Sequence, residues 1–332
     1  MTFSPASSRS PFFAGQDGRG PFSVSKNQIN EGLSATLQTG VLSFPITDYS
    51  SDGSIDVDAY ARRLEWMNTF GPAAIFPGAG AGEFFSLSGE EYDALLETAI
   101  ETRGTSTPVI ASVGYNAQLA AAGARRAEAI GADGILLMPS YMTRATQDGL
   151  FNIIRAVCDS VEIGVIVYNR GTCELAVETI QRLADACSNF VGVKDGHGKI
   201  ETILSLRLAL AGRLLLINGM PTAEMFAYSY AGMGIPTFSS GVFNFVPAIA
   251  TAFQHSLANN DRARSDEILR EFYAPYSRIR GDKPGYAVTI LRAGATIIGR
   301  PAGLPRPPLV DITPFEFAQL EALIERTANL VA

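Results

Sequence analysis

Lysine is scarce in this sequence: Lys26, Lys194, Lys199 and Lys283 are the only four, and arginine supplies nearly all the remaining positive charge. One of the four, Lys194, closes the apolar run Phe190-Val191-Gly192-Val193-Lys194-Asp195. Arginine cannot act as an amine nucleophile, but lysine can. Burial among apolar neighbours disfavours the ammonium, and the free amine then attacks a carbonyl. A lysine that snorkels from a strand end into solvent is the plain structural alternative. Tyr168, followed by Asn169 and Arg170, adds a phenol that can relay protons once a neighbouring cation acidifies it. The run Gly78-Ala79-Gly80-Ala81-Gly82-Glu83 is a poor dinucleotide fingerprint, because Glu83 stands where a third small residue belongs. Small residues there instead let backbone amides approach a carboxylate closely.

These groups need a scaffold that brings them together. From Gly40 onward, apolar runs alternate with helical patterns at roughly 25 to 30 residues per unit, the rhythm of repeated strand-helix pairs. Eight strands are predicted: Val41 to Ile46, Ala73 to Pro77, Val109 to Val113, Gly134 to Met138, Gly164 to Tyr168, Phe190 to Lys194, Leu214 to Asn218 and Gly234 to Ser239. Helices are predicted over 56–70, 89–103, 117–131, 146–160, 175–187, 198–211 and 221–232, with Asp56 and Ser88 as N-caps. The count is that of an α/β protein closed into a (β/α)8 TIM barrel over residues 29–244, with an open doubly wound sheet as the alternative. Residues 245–332 read as a C-terminal helical appendage packed on the barrel, and residues 1–28 as a flexible N-terminal extension. In such a barrel the reactive groups stand at the carboxyl ends of strands. Lys194, Tyr168, the glycine run, Ser239 and Ser240 all fall there, on four separate strands.

Composition removes other classes. A net charge of -7 offers no basic surface to nucleic acid or anionic lipid, and the apolar runs are too short to span a bilayer. Cys158, Cys173 and Cys187 lack metal-type spacing and suit a reducing, cytoplasmic setting as packing residues. His197 and His255 form no HExxH or cysteine-rich cluster, so no metal is expected.

Together, the glycine run ending in Gly-Glu, the Tyr168-Asn169 pair and the Gly-Val-Lys-Asp strand resemble the dihydrodipicolinate synthase and N-acetylneuraminate lyase superfamily of Schiff-base barrels. Four dispersed stretches are similar, more narrowly, to the 5-dehydro-4-deoxyglucarate dehydratase family: Leu42 to Asp48, Gly82 to Leu87, Asn218 to Glu224 and Pro236 to Phe245. The tail Gly299 to Gly303 followed by Arg306 to Leu309 fits as well, so the likeness runs from about residue 30 to the end. The resemblance implies a decarboxylating hydro-lyase in sugar-acid catabolism that needs no cofactor beyond an imine on Lys194, and a homo-oligomer, tetramer or dimer. It implies Tyr168 as proton relay and Gly80, Ala81 and Gly82 as the carboxylate cradle. Ser239, Ser240, Gly219 and Tyr141 are further substrate-binding candidates. The superfamily usually carries a hydroxyl residue where this chain has Ala81, which keeps only its backbone donor. A pyruvate-dependent aldolase of the same superfamily and a catalytically silent sugar-acid-binding barrel stay open as alternatives.

Overall fold

The computed structural model describes residues 26–281 and 283–331. Residues 1–25 of the expected extension lie outside them, whereas residues 26–28 belong to a helix, α1 (Lys26–Leu37), that sequence periodicity had not suggested. Leu33 and Leu37 of α1 are buried among Ile110, Leu136, Ile166 and Leu215, so the helix plugs one end of the barrel.

Eight parallel strands form the barrel: β1 (Leu42–Ser43), β2 (Ala74–Ile75), β3 (Ile110–Tyr115), β4 (Gly134–Ser140), β5 (Gly164–Asn169), β6 (Phe190–Asp195), β7 (Leu215–Asn218) and β8 (Ser239–Ser240). One ladder runs β2-β1-β8 and the other β3-β4-β5-β6-β7. Parallel bridges Ile75 to Val109 and Asn218 to Phe238 join them at both seams, which closes the ring and excludes an open doubly wound sheet. The chain is therefore an α/β TIM barrel. The strands are apolar throughout because both faces are covered. Val165, Val167 and Val193 face the surrounding helices, while Ile166 and Tyr168 fill the interior. Strand eight begins later than the predicted Gly234. Gly234 has φ +80, its amide caps the preceding helix through Ala231 O, and Pro236 has no amide to offer a ladder.

Seven helices alternate with the strands: α2 (Val57–Asn68), α3 (Gly89–Thr102), α4 (Ala117–Ile130), α5 (Gln147–Cys158), α6 (Val177–Ala186), α7 (Ile200–Leu210) and α8 (Ala227–Gly232). Asp56 caps α2 by accepting from the Ala59 amide, and Ser88 forms a reciprocal capping box with Glu91 on α3, as predicted from their types.

The C-terminal helices are α9 (Pro247–Ala258), α10 (Arg262–Ile268), α11 (Ala274–Arg280), α12 (Tyr286–Ile297) and α13 (Pro314–Thr327). Between α10 and α11 the helix widens into a π turn, Leu269–Tyr273, where the Ala274 amide donates to Leu269 O. Pro275 accounts for the widening, since its ring would collide with the carbonyl four residues back in a regular α-helix. Phe245, Phe253, Phe272, Tyr273 and Tyr276 then pack as one aromatic cluster between these helices and β8.

Candidate active site

Tyr168 on β5 and Lys194 on β6 are register partners on neighbouring parallel strands, so both side chains leave the sheet on the same side. They meet at the carboxyl-terminal mouth, where a cavity of about 550 Å³ is lined by Gly80, Ala81, Tyr168, Arg170, Lys194, Gly219 and Ser239. Five strand ends thus contribute to one hollow. A larger hollow of about 800 Å³ opens at the opposite end beside α1 and α7, reaching Phe190 and Leu215 at the starts of their strands. Among the described residues it carries no lysine, histidine or cysteine, and it sits at the amino-terminal face, where barrels of this kind hold no chemistry.

Lys194 is 4% exposed. Its Nζ lies 3.6 Å from the centroid of the Tyr168 ring and 5.1 Å from that of Phe44. Burial pushes the ammonium below its ordinary value, and the neighbouring phenol only partly opposes that. Gly219 fits this arrangement closely, because a Cβ there would lie 2.6 Å from Lys194 Cγ. A side chain at 219 and an inward Lys194 cannot coexist. The Gly219 carbonyl accepts from the Tyr168 hydroxyl at 3.1 Å, and Arg170 donates to the same hydroxyl at 2.8 Å. Burial opposes ionisation of this phenol, but the positive charges of Lys194 and Arg170 outweigh it and bring the phenol below its ordinary value. Conversion of the amine to an iminium would make the charge at Lys194 permanent.

Asp195, the other charged residue of the strand end, serves the scaffold. It accepts from the Gly198 amide at 2.9 Å and from the Tyr230 hydroxyl at 2.5 Å. Asn169 likewise accepts from the Leu175 amide at 2.9 Å and fixes the loop after β5.

The glycine run supplies backbone donors. Gly80 and Ala81 line the cavity, and among the described residues their amides donate to no other group. Gly82 stands apart from the expected cradle. It is packed where a Cβ would lie 3.0 Å from Pro45 O, its carbonyl accepts from Thr47 Oγ1 at 2.7 Å, and it does not line the cavity.

The two serines of β8 divide as alternation along a strand requires. Ser239 lines the cavity, whereas Ser240 is buried on the other side and donates to Glu224 Oε1 at 2.6 Å. Tyr141 also departs from its expected place. Past the end of β4 its amide donates to Tyr115 O, and the side chain is 68% exposed and outside the cavity lining.

Three groups escaped the reading of the sequence. Glu224 is 1% exposed, lines the cavity, and has its carboxyl pushed up to about 7 by burial. A raised folded value means a stability contribution complete below the ordinary 4.5 and lost as pH rises through about 7. Wild-type stability should therefore fall by about 2–3 kcal/mol relative to Glu224→Gln between about pH 5 and 8, read by urea denaturation at each pH. Parallel pH profiles for the two proteins would refute the assignment. Arg292 on α12 is the second group, 2% exposed, donating to Glu83 Oε1 at 3.1 Å and to Thr47 O at 2.8 Å. Arg280, at the end of α11, is the third. Among the described residues no cluster of three or more His, Cys, Asp or Glu side chains could hold a metal ion, and no helix is long and apolar enough to cross a membrane.

Comparison with known proteins bears on the same residues. The model of the dihydrodipicolinate synthetase family matches residues 37–327. A protein of Polaromonas naphthalenivorans named probable 5-dehydro-4-deoxyglucarate dehydratase is 45% identical over 89% of this chain and 97% of its own. One of the same name from Paracidovorax citrulli is 46% identical over 89% of this chain and 97% of its own. Among solved structures, dihydrodipicolinate synthase from Bacillus clausii superposes with a TM-score of 0.82 at 24% identity, covering 89% of this chain and 99% of that one. That from Oceanobacillus iheyensis also gives 0.82, at 22% identity, over 92% of this chain and 100% of that one.

Proposed function

Since the chain belongs to the dihydrodipicolinate synthetase family, we propose that it is a Schiff-base lyase that converts 5-dehydro-4-deoxy-D-glucarate to 2,5-dioxopentanoate, carbon dioxide and water. The observation that carries this reading is the buried Lys194 amine lying against the Tyr168 ring inside the mouth cavity. The names of the relatives supply the substrate.

The Lys194 amine adds to the C5 ketone and water leaves, giving an iminium that acidifies the C4 protons. Tyr168, whose phenol the adjacent positive charge makes easier to ionise, takes one of them as the phenolate. The resulting enamine expels the C3 hydroxyl, which leaves as water with the proton returned from Tyr168. A conjugated iminium remains. It accepts the electron pair of the C1–C2 bond as carbon dioxide departs, leaving a dienamine; the C2 enol becomes the aldehyde as its proton moves to C3, and protonation at C4 restores the iminium. Addition of water to the imine frees the product and restores the amine. The lysine serves as electron sink in both steps, so the scheme calls for no bound cofactor. Gly80 and Ala81 would hold the keto-acid carboxylate through their amides, and Ser239 would meet the hydroxyl groups. We assign the protein to the cytoplasm and to a homo-oligomeric state on the same family grounds.

The test is product analysis of the purified protein with the keto sugar acid. One carbon dioxide and one dioxo acid per substrate are expected, whereas release of pyruvate would mark an aldolase instead. Tyr168→Phe should lower turnover by roughly 10²–10⁴-fold, the usual worth of a positioned acid-base group. It should still accumulate the borohydride-trapped adduct at Lys194 on long incubation. Unaltered turnover would remove Tyr168 from the scheme.

A further inference from the structure

The wall of the cavity built by the C-terminal helices holds a cation that the proposed chemistry leaves idle. Arg280 and Tyr276, both on α11, line the cavity opposite the strand ends. Arg280 Nε is buried without a hydrogen-bond partner, and among the described residues its guanidinium has no ion pair. The other arginines around the mouth are occupied: Arg170 donates to the Tyr168 hydroxyl, Arg292 to Glu83, and Arg306 forms two bonds to Glu91. A buried N–H stripped of water and given no acceptor is costly, and such a group on a cavity wall is satisfied when a ligand brings the acceptor. Among the described residues Glu224 is the one carboxyl side chain in the lining, and it is bonded to Ser240. With Lys194, Arg170 and Arg280 set against it, the hollow favours a ligand carrying more than one negative charge.

We propose that Arg280 binds the substrate carboxylate farthest from the keto group, and so selects diacids over keto acids that end in an apolar or hydroxymethyl group. This rests on the imine reading above, which places the keto end at Lys194. Arg170 is the less suitable candidate, since its guanidinium is already engaged with the phenol beside the reacting carbon. A guanidinium presents a planar fork that matches a carboxylate. That pairing is present before the carboxylate is lost and weakens as neutral carbon dioxide forms. Arg280 therefore contributes to binding and specificity, not to the rate of bond cleavage.

Two six-carbon probes separate recognition from turnover: 2-oxoadipate, a diacid, and 2-oxohexanoate, which lacks the second carboxylate. Both can form an imine and neither has a hydroxyl to lose. Borohydride trapping at Lys194, followed by mass, gives the half-labelling concentration for each. Wild type should favour 2-oxoadipate, and Arg280→Gln should cut that preference by about 10–100-fold, the worth of a charged hydrogen-bonded contact. Arg280→Lys should keep part of it. With the natural substrate, Arg280→Gln should raise KM by a similar factor and change kcat little. An unchanged preference in Arg280→Gln, with both probes still labelling Lys194, would overturn the proposal alone. Failure of both probes to label wild type would overturn the imine reading first and this proposal with it, and labelling by 2-oxohexanoate alone would overturn the proposal.

Discussion

Lys194→Met is expected to lower kcat for the keto sugar acid by about 10⁴-fold or more, the scale of loss seen when a covalent nucleophile is removed. Methionine keeps the apolar stem among Phe44, Tyr168 and Gly219 but cannot form an imine. The loss should be chemical, without a loss of folding. The folded amine titrates below its ordinary value because it is buried, so between the folded and unfolded values the unfolded chain binds more protons. Wild-type stability is accordingly lost as pH falls through that window, and Lys194→Met should lack that loss. Denaturant midpoints across a pH series, together with steady-state kinetics, check both halves. Residual turnover within ten-fold of wild type would show that the lysine is a bystander.

The second large effect is on stability. Arg292→Met should cost about 3–5 kcal/mol, because it strands a carboxylate that is itself fully buried. Besides Glu83, Arg292 donates to the carbonyls of Thr47, Ala302, Gly303 and Leu304, at 2.5 to 3.2 Å. One side chain thus ties the loops after β1 and β2 to the segment beyond α12. Glu83 also has φ 60, a left-handed conformation that costs a non-glycine residue about 1–3 kcal/mol and persists only while its surroundings enforce it. Removing Arg292 should therefore loosen the neighbouring Gly80 and Ala81 and raise KM as well. Burial already pushes the Glu83 carboxyl up, and Arg292 is the main force opposing this, so the deficit of Arg292→Met should grow as pH rises. Adding Glu83→Gln should recover part of it. Equal stability of Arg292→Met and wild type in urea would discard this account.

The barrel was legible in the sequence because parallel strands covered on both faces read as short uninterrupted apolar runs, and because a lysine ending such a run is chemically conspicuous. What sequence periodicity missed has physical reasons. Leu33 and Leu37 of α1 are four apart and both buried, but Gly32 and the polar residues around them dilute the pattern. Ser239 and Ser240 were assigned together, although alternation along a strand must send neighbours to opposite sides. Arg292 lies 209 residues from Glu83, and Arg280 lines the cavity from α11, far along the chain from the strand ends. No local rule connects residues so far apart. The part of the site drawn from strand ends could be read in advance, and the part drawn from the C-terminal helices could not.

The most direct test is borohydride reduction in the presence of 5-dehydro-4-deoxy-D-glucarate, with peptide mapping and simultaneous measurement of carbon dioxide. We expect a single adduct on the peptide that carries Lys194, and carbon dioxide released by the unreduced protein. Carbon dioxide evolved with no mass gained at Lys194, or an adduct confined to Lys199 or Lys283, would contradict the account.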